Sequence, residues 1–132
     1  MIKIKPIPQN IQITVDQEEY YLPYNLQESI NNYCDSLILE KPYLTRGEIF
    51  SIKTMSLSNQ ELRITLQKTD YAHLSFSQHM HINEKFKCKS VVANGVMLTK
   101  DRYFIIGEMN ALTSTPGRLQ FVADKRSSGR RC

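Results

Sequence analysis

Two alternating runs, EIFSIKTMSLS (48–58) and ELRITLQKT (61–69), stand on either side of Asn59-Gln60. Side chains point to opposite faces along a strand, so apolar residues at alternate positions mark strands with one buried face. A parallel pair needs a long crossover, and two residues cannot supply one. The two runs are therefore expected to fold back on each other as a hairpin.

The period changes upstream. In NLQESINNYCDSLILEKP (25–42), Leu26, Ile30, Tyr33, Cys34 and Leu37 fall at i, i+4, i+7, i+8 and i+11, one face of a helix. Asn25 suits the N-cap with Glu28 as its capping-box partner, and Pro42 ends the segment. IQITVD (11–16) alternates like a strand, and a second short strand is expected at Tyr20–Leu22 after a turn at 17–19. DYAHLSFSQHMH (70–81) fits neither period. KCKSVVANGVMLTKDRYFIIGEMN (87–110) reads as a second hairpin turning at Thr99-Lys100-Asp101-Arg102. ALTSTPG is then a loop and RLQFV the final strand.

These elements imply an α+β chain with a mixed or antiparallel sheet and one main helix. A composition shift near 83–85 separates an N-terminal segment, 1–84, from the strands of 85–122, and 123–132 reads as a disordered basic tail. The chain has 132 residues and is 41% hydrophobic, enough for one domain with a core. No apolar run approaches the roughly 20 residues of a membrane helix. MIKIKPIPQN has no continuous apolar segment of the signal-peptide kind, so a cytoplasmic protein without a membrane partner is expected.

The net charge of +4 is unevenly placed. Lys125, Arg126, Arg130 and Arg131 against Asp124 put +3 in the last ten residues and leave +1 for the rest. A basic face for nucleic acid would rest on that tail, which has no aromatic residue to stack on bases. Nucleic acid is therefore not an expected partner. Cys34, Cys88 and Cys132 form no CxxC pair, which excludes a zinc ribbon or dithiol motif and leaves reduced thiols as the expectation.

Chemistry-bearing clusters are sparse. His79 and His81 would share one side of a strand as half of a metal site, with His73 nearby and Glu84 or Cys88 as a third ligand. HxH alone is a weak signal, and satisfied or exposed imidazoles are the simpler reading. Asp16, Glu18 and Glu19 form an acidic turn whose carboxylates would mostly face water. There is no GxSxG, and five glycines leave no phosphate-cradling loop.

The stretch SVVANGVMLTKDRYFIIGEMNALTSTPGRLQFV (90–122) resembles the opening strands of a Nudix hydrolase domain. Gly117–Val122 lies where the strand before the catalytic box runs, with Leu119 in its aromatic slot and Val122 in its proline slot. YLTRGEIFSIKTMSLSNQELRITLQKTDYAHL (43–74) is similar to the N-terminal segment of the Nudix branch that acts on nucleoside-diphosphate sugars, with Thr69 and Tyr71 in a Thr-x-Tyr element. The resemblance spans residues 10–122. It implies a partial Nudix-like α/β sandwich whose first strands are 85–122, and a nucleotide-sugar ligand. It places Glu108, Arg118 and Gln120 where the family contacts phosphates and leaving group. The full family domain holds Mg²⁺ or Mn²⁺ on box glutamates, and the metal activates the attacking water. This sequence has no Glu after Glu108.

The expectation is therefore a truncated Nudix-type protein, ending before the box and inactive as a pyrophosphohydrolase on its own. It would have no catalytic residue, no metal ligand and no cofactor in this chain. The alternative is a small α+β binding or interaction module without catalytic activity. The resemblance also implies that the helix covering one sheet face is missing. Val91, Val92, Val96, Leu98, Phe104, Ile106, Leu119 and Phe121 would then stay uncovered, and a homo-oligomer through 90–109 or 118–122 is expected; the alternative is a self-sufficient monomer in which the helix of 26–39 folds over that face.

Overall fold

The computed structural model describes residues 5–92, 95–113, 115–121 and, by backbone alone, 130–131. The class is α+β, with helices and small mixed or antiparallel sheets. Strand β1 (Asn10–Val15) leads into helix α1 (Tyr24–Glu40) and the short β2 (Thr45–Arg46). Strands β3 (Glu48–Leu57) and β4 (Glu61–Asp70) follow, and β4 runs directly into helix α2 (Tyr71–His79). The 48–69 hairpin forms as its spacing requires, from Leu57↔Leu62 to Glu48↔Asp70, with a bulge between Ile52 and Thr54. β1 adds to the other edge of β4 in parallel, giving the order β1-β4-β3. The parallel register is carried beyond β1 by bonds from Asp16 N–H to Leu66 O and from Tyr20 N–H to Lys68 O. Tyr20–Leu22, expected as a strand, is irregular because only Tyr20 finds a rung there.

The helix of 25–42 is present, but its start differs from the expectation. Pro23, not Asn25, is the N-cap, and no side chain caps the end. Proline's fixed φ presets the entry to the helix; its carbonyl accepts from Gln27 N–H at 2.9 Å. Asn25 is thus already helical, and its carbonyl accepts from the Ser29 hydroxyl. Helix α2 is the element that periodicity missed. Asp70 caps it by accepting from His73 N–H at 3.0 Å. Its buried side is Ala72, His73, Ser75, Phe76 and Ser77, too polar to show an apolar stripe. Those polar groups are satisfied: Tyr33 and Ser75 hydroxyls meet at 3.0 Å, and Ser77 Oγ accepts from Cys88 N–H.

Ile30 and Cys34 of α1 pack against Ala72 and Phe76 of α2 as one core cluster. Leu62, Ile64 and Leu66 form a second, on the sheet, with Phe50 and Ile52 beside them. Cys88 is a free, buried thiol. Cys34 is disulfide-bonded, which corrects the expectation of reduced thiols at that position. Beyond the 3-10 turn Glu84–Phe86, Lys89 and Ser90 still bond the first unit, through Lys89 O to Ile52 N–H and a bridge between Ser90 and Ser51.

From there the chain forms short ladders only. β5 (Met97–Leu98) pairs with β6 (Phe104–Ile105), and β7 (Gly107–Glu108) with β8 (Leu119–Gln120). The turn at 99–102 forms as expected, with Thr99 N–H on Tyr103 O. The arms of the hairpin are two residues each, because Val96, Met97, Leu98, Phe104 and Ile105 all stay exposed and nothing packs them into a longer ladder. Most of the 123–132 tail lies outside the described residues; Arg130–Arg131 (β9) pair antiparallel with Thr45–Arg46. Among the described residues no helix is long and apolar enough to cross a membrane.

Candidate functional site

Two places on the fold gather polar side chains. The first is the β7–β8 ladder. Gly107 faces Gln120 and Glu108 faces Leu119, so the resemblance-derived residues Glu108, Arg118 and Gln120 come within one ladder. Antiparallel partners point to the same side and neighbours alternate. Arg118 and Gln120 therefore share a face with Met109, whose Sδ accepts from Gln120 Nε2 at 3.1 Å. Glu108 lies on the opposite face with Leu119. No ion pair joins Glu108 to Arg118, and both are exposed.

The loop 109–118 is closed by Met109 N–H to Arg118 O at 2.9 Å and Gly117 N–H to Met109 O at 2.8 Å. Thr115–Arg118 is a turn with proline second and glycine third, and Gly117 has φ of +74°. That conformation strains any residue with a Cβ, so the sequence Pro-Gly is what fixes the position of Arg118. A single carboxylate does not fit Mg²⁺ or Mn²⁺, which need several oxygen ligands. Among the described residues no three His, Cys, Asp or Glu side chains converge on a metal position.

The second place is a cavity of about 480 Å³ between the Asp70 end of the sheet and the two helices. Glu19, Tyr20, Leu22, Gln27, Arg46, Glu48, Lys68, Thr69, Asp70 and His73 line it. Arg46 Nε meets Asp70 Oδ2 at 2.7 Å and Lys68 Nζ meets Glu48 Oε2 at 3.5 Å, so both cations are paired. None of these residues was singled out for this role from sequence. The signal was there in Asp70, an N-cap residue directly before Tyr-Ala-His, but it marks a helix and not a cavity.

His73 is buried, and both ring nitrogens are engaged. Nε2 lies 2.7 Å from Phe86 O, which can only accept, so Nε2 carries the proton. Nδ1 then accepts from the Thr69 hydroxyl at 2.8 Å. The Tyr20 ring packs edge-on at 4.8 Å, and its hydroxyl donates to Lys85 O. Burial holds His73 below its ordinary value; the Phe86 carbonyl and the Asp70 charge oppose that only in part. His79 donates Nδ1–H to Ser75 O at the end of α2, and His81 follows in irregular chain. The half-site reading of HMH, which needed a strand, is thereby corrected. Asp16, of the acidic turn, is engaged by Lys53 and by Glu18 N–H, and both hold its carboxyl below the usual range.

A depressed histidine binds fewer protons folded than unfolded. Stability from His73 is therefore fully present above its ordinary value of 6.5 and is lost as the pH falls below it toward the folded value. Urea midpoints should drop between pH 8 and pH 5, and the drop should shrink in His73→Gln, which keeps a donor for Phe86 O but does not titrate. An equal drop in both proteins would remove His73 as the cause.

Comparison of the chain with family models, curated proteins and solved structures gave no match.

Proposed function

We propose that the chain is a Nudix-related element that recognises the phosphates of a nucleoside-diphosphate sugar, binding the ligand without hydrolysing it. One observation carries the reading: Arg118 and Gln120 stand on one face of the β7–β8 ladder, positioned by the Pro116-Gly117 turn. An exposed guanidinium with no ion-pair partner among the described residues offers a planar fork that matches phosphate oxygens, and a neighbouring amide adds a donor. Glu108 stands on the other face with Leu119, away from this ligand position. Among the described residues the ladder carries one carboxylate, too few to hold a metal that would activate water. A cytoplasmic location belongs to the same proposal; the free Cys88 thiol supports it and the Cys34 disulfide argues against it.

Calorimetry with a nucleoside-diphosphate sugar tests this. Arg118→Ala should weaken binding about 10- to 100-fold, the equivalent of a charge-assisted hydrogen bond of about 1.5–3 kcal/mol. Phosphate release with Mg²⁺ or Mn²⁺ present should stay at the blank. Wild-type affinity in Arg118→Ala, or turnover that co-purifies with the protein, would overturn the proposal. The second reading, an interaction module, is favoured by the exposed apolar side chains of Val91, Val92, Leu98, Tyr103, Phe104 and Ile106. It expects no nucleotide binding at all.

A further inference from the structure

The β1-β4-β3 sheet has a face that the other described residues leave uncovered. Its register stacks three layers across the strands: Ile11, Leu62 and Leu57; Ile13, Ile64 and Met55; Val15, Leu66 and Ile52. Every one of these side chains is apolar. The central strand is buried by its own neighbours, while the flanking Ile11, Ile13, Val15, Met55 and Leu57 are 41% to 61% exposed. The helical cluster does not reach them: among the described residues, the buried sheet cluster has only Phe50 and Ile52 packed against it. The opposite face is polar, with Thr14 against Thr65, Arg63 paired to Glu61 and Lys53 paired to Asp16.

We propose that this face is an isologous interface, on which a second copy of the chain stacks its own β1-β4-β3 sheet. Two aligned sheets pack about 10 Å apart at an angle near −30°, an arrangement a two-fold axis generates. The face is uncharged throughout, which makes it complementary to itself. The nine side chains include no group that would select a charged partner, and a copy brings neither a like charge nor an unpaired polar group onto them. The polar boundary falls one layer on, where Lys68 is already paired to Glu48. The area is also adequate. Ile7 and Leu57 line one shallow cavity, so the patch continues onto the exposed Ile7. Half-exposed side chains in that number leave roughly 500 Å² of apolar surface, at the upper end of what a monomer shows. With its polar rim the patch approaches the ~800 Å² that each partner brings to a stable interface. This is a different surface from 90–109 and 118–122.

Sedimentation velocity over the micromolar range reads the outcome. Wild type should be a dimer, and Ile13→Asp with Met55→Asp should raise the dimer Kd more than a hundredfold with an unchanged circular dichroism spectrum. Thr14→Asp, on the same strand but the polar face, and Phe104→Asp, in the β5–β6 hairpin, should remain dimers. A measurement on wild type needs no variant to fold: on dilution the methyl NMR signals of Ile11 and Ile13 should move, and those of Ile105 and Ile106 should stay. A wild-type monomer throughout would overturn the proposal and leave the face to a different protein. So would a dimer that survives the double substitution, or methyl shifts confined to Ile105 and Ile106.

Discussion

Phe76→Ala should cost about 3–5 kcal/mol of unfolding free energy, the range for emptying a buried aromatic site. That is a large share of the ~5–15 kcal/mol that holds a typical domain folded. Phe76 is 7% exposed and joins α2 to α1, touching the cluster of Ile30, Cys34 and Ala72. Tyr33 packs edge-on against its ring at 5.5 Å, and Tyr33 is itself tied to α2 through Ser75. Leu22, Leu26, Tyr33, Ile38 and Ile82 pack around the same cluster, so losing the ring opens a cavity inside a packed core. Leu39, on the outer side of α1 and 86% exposed, is the control: Leu39→Ala should stay within about 0.5 kcal/mol. Urea denaturation with unchanged m would separate the two. Equal midpoints for the two variants would mean that the helix pair is not the core of the N-terminal unit.

The contrast between those residues also shows which parts of the fold were legible. Leu26, Ile30, Tyr33, Cys34 and Leu37 declare a helix because the face they form is apolar and the rest is polar. The hairpin of β3 and β4 is declared by alternation and a two-residue gap. Helix α2 has no such pattern, since its buried face includes His73, Ser75 and Ser77, each satisfied by a partner outside the helix, Phe86, Tyr33 and Cys88 in turn. Periodicity reads hydrophobicity, and a face buried by hydrogen bonding is invisible to it. Residues 96–106 mislead in the opposite direction. Their alternation promises long strands, but ladders lengthen only when a face is buried, and here none is. At the candidate site, Gly117 after Pro116 revealed the turn that positions Arg118. The register that turns Glu108 away from Arg118 and Gln120 could not be read, because one residue of slip would reverse it. The cavity around His73 was hidden for a related reason: the β3–β4 hairpin brings Arg46 to Asp70, but Tyr20 joins them only through the parallel pairing of β1 with β4, which the sequence does not announce.

Asp70 sits at the junction of those segments, and its replacement has the second-largest expected effect. One carboxylate oxygen caps α2 through His73 N–H, and the other accepts from Arg46 Nε at 2.7 Å. The two functions separate by substitution. Asparagine caps a helix about as well as aspartate but carries no charge, so Asp70→Asn removes only the ion pair. Both partners are partly solvated, with side chains 24% and 31% exposed, which keeps the pair near 1 kcal/mol. Asp70→Ala removes the cap as well, adding about 0.5–2 kcal/mol, for a total of about 1.5–3 kcal/mol. Arg46→Ala should match Asp70→Asn, and the double variant Arg46→Ala with Asp70→Asn should cost little more than either alone, the mark of a shared interaction. The cap has its own signature. Amide exchange at the first turn of α2 should accelerate in Asp70→Ala and stay slow in Asp70→Asn. If the asparagine variant loses as much stability as the alanine variant, the charge and not the cap holds the start of α2, and the junction depends on Arg46 reaching across from β2.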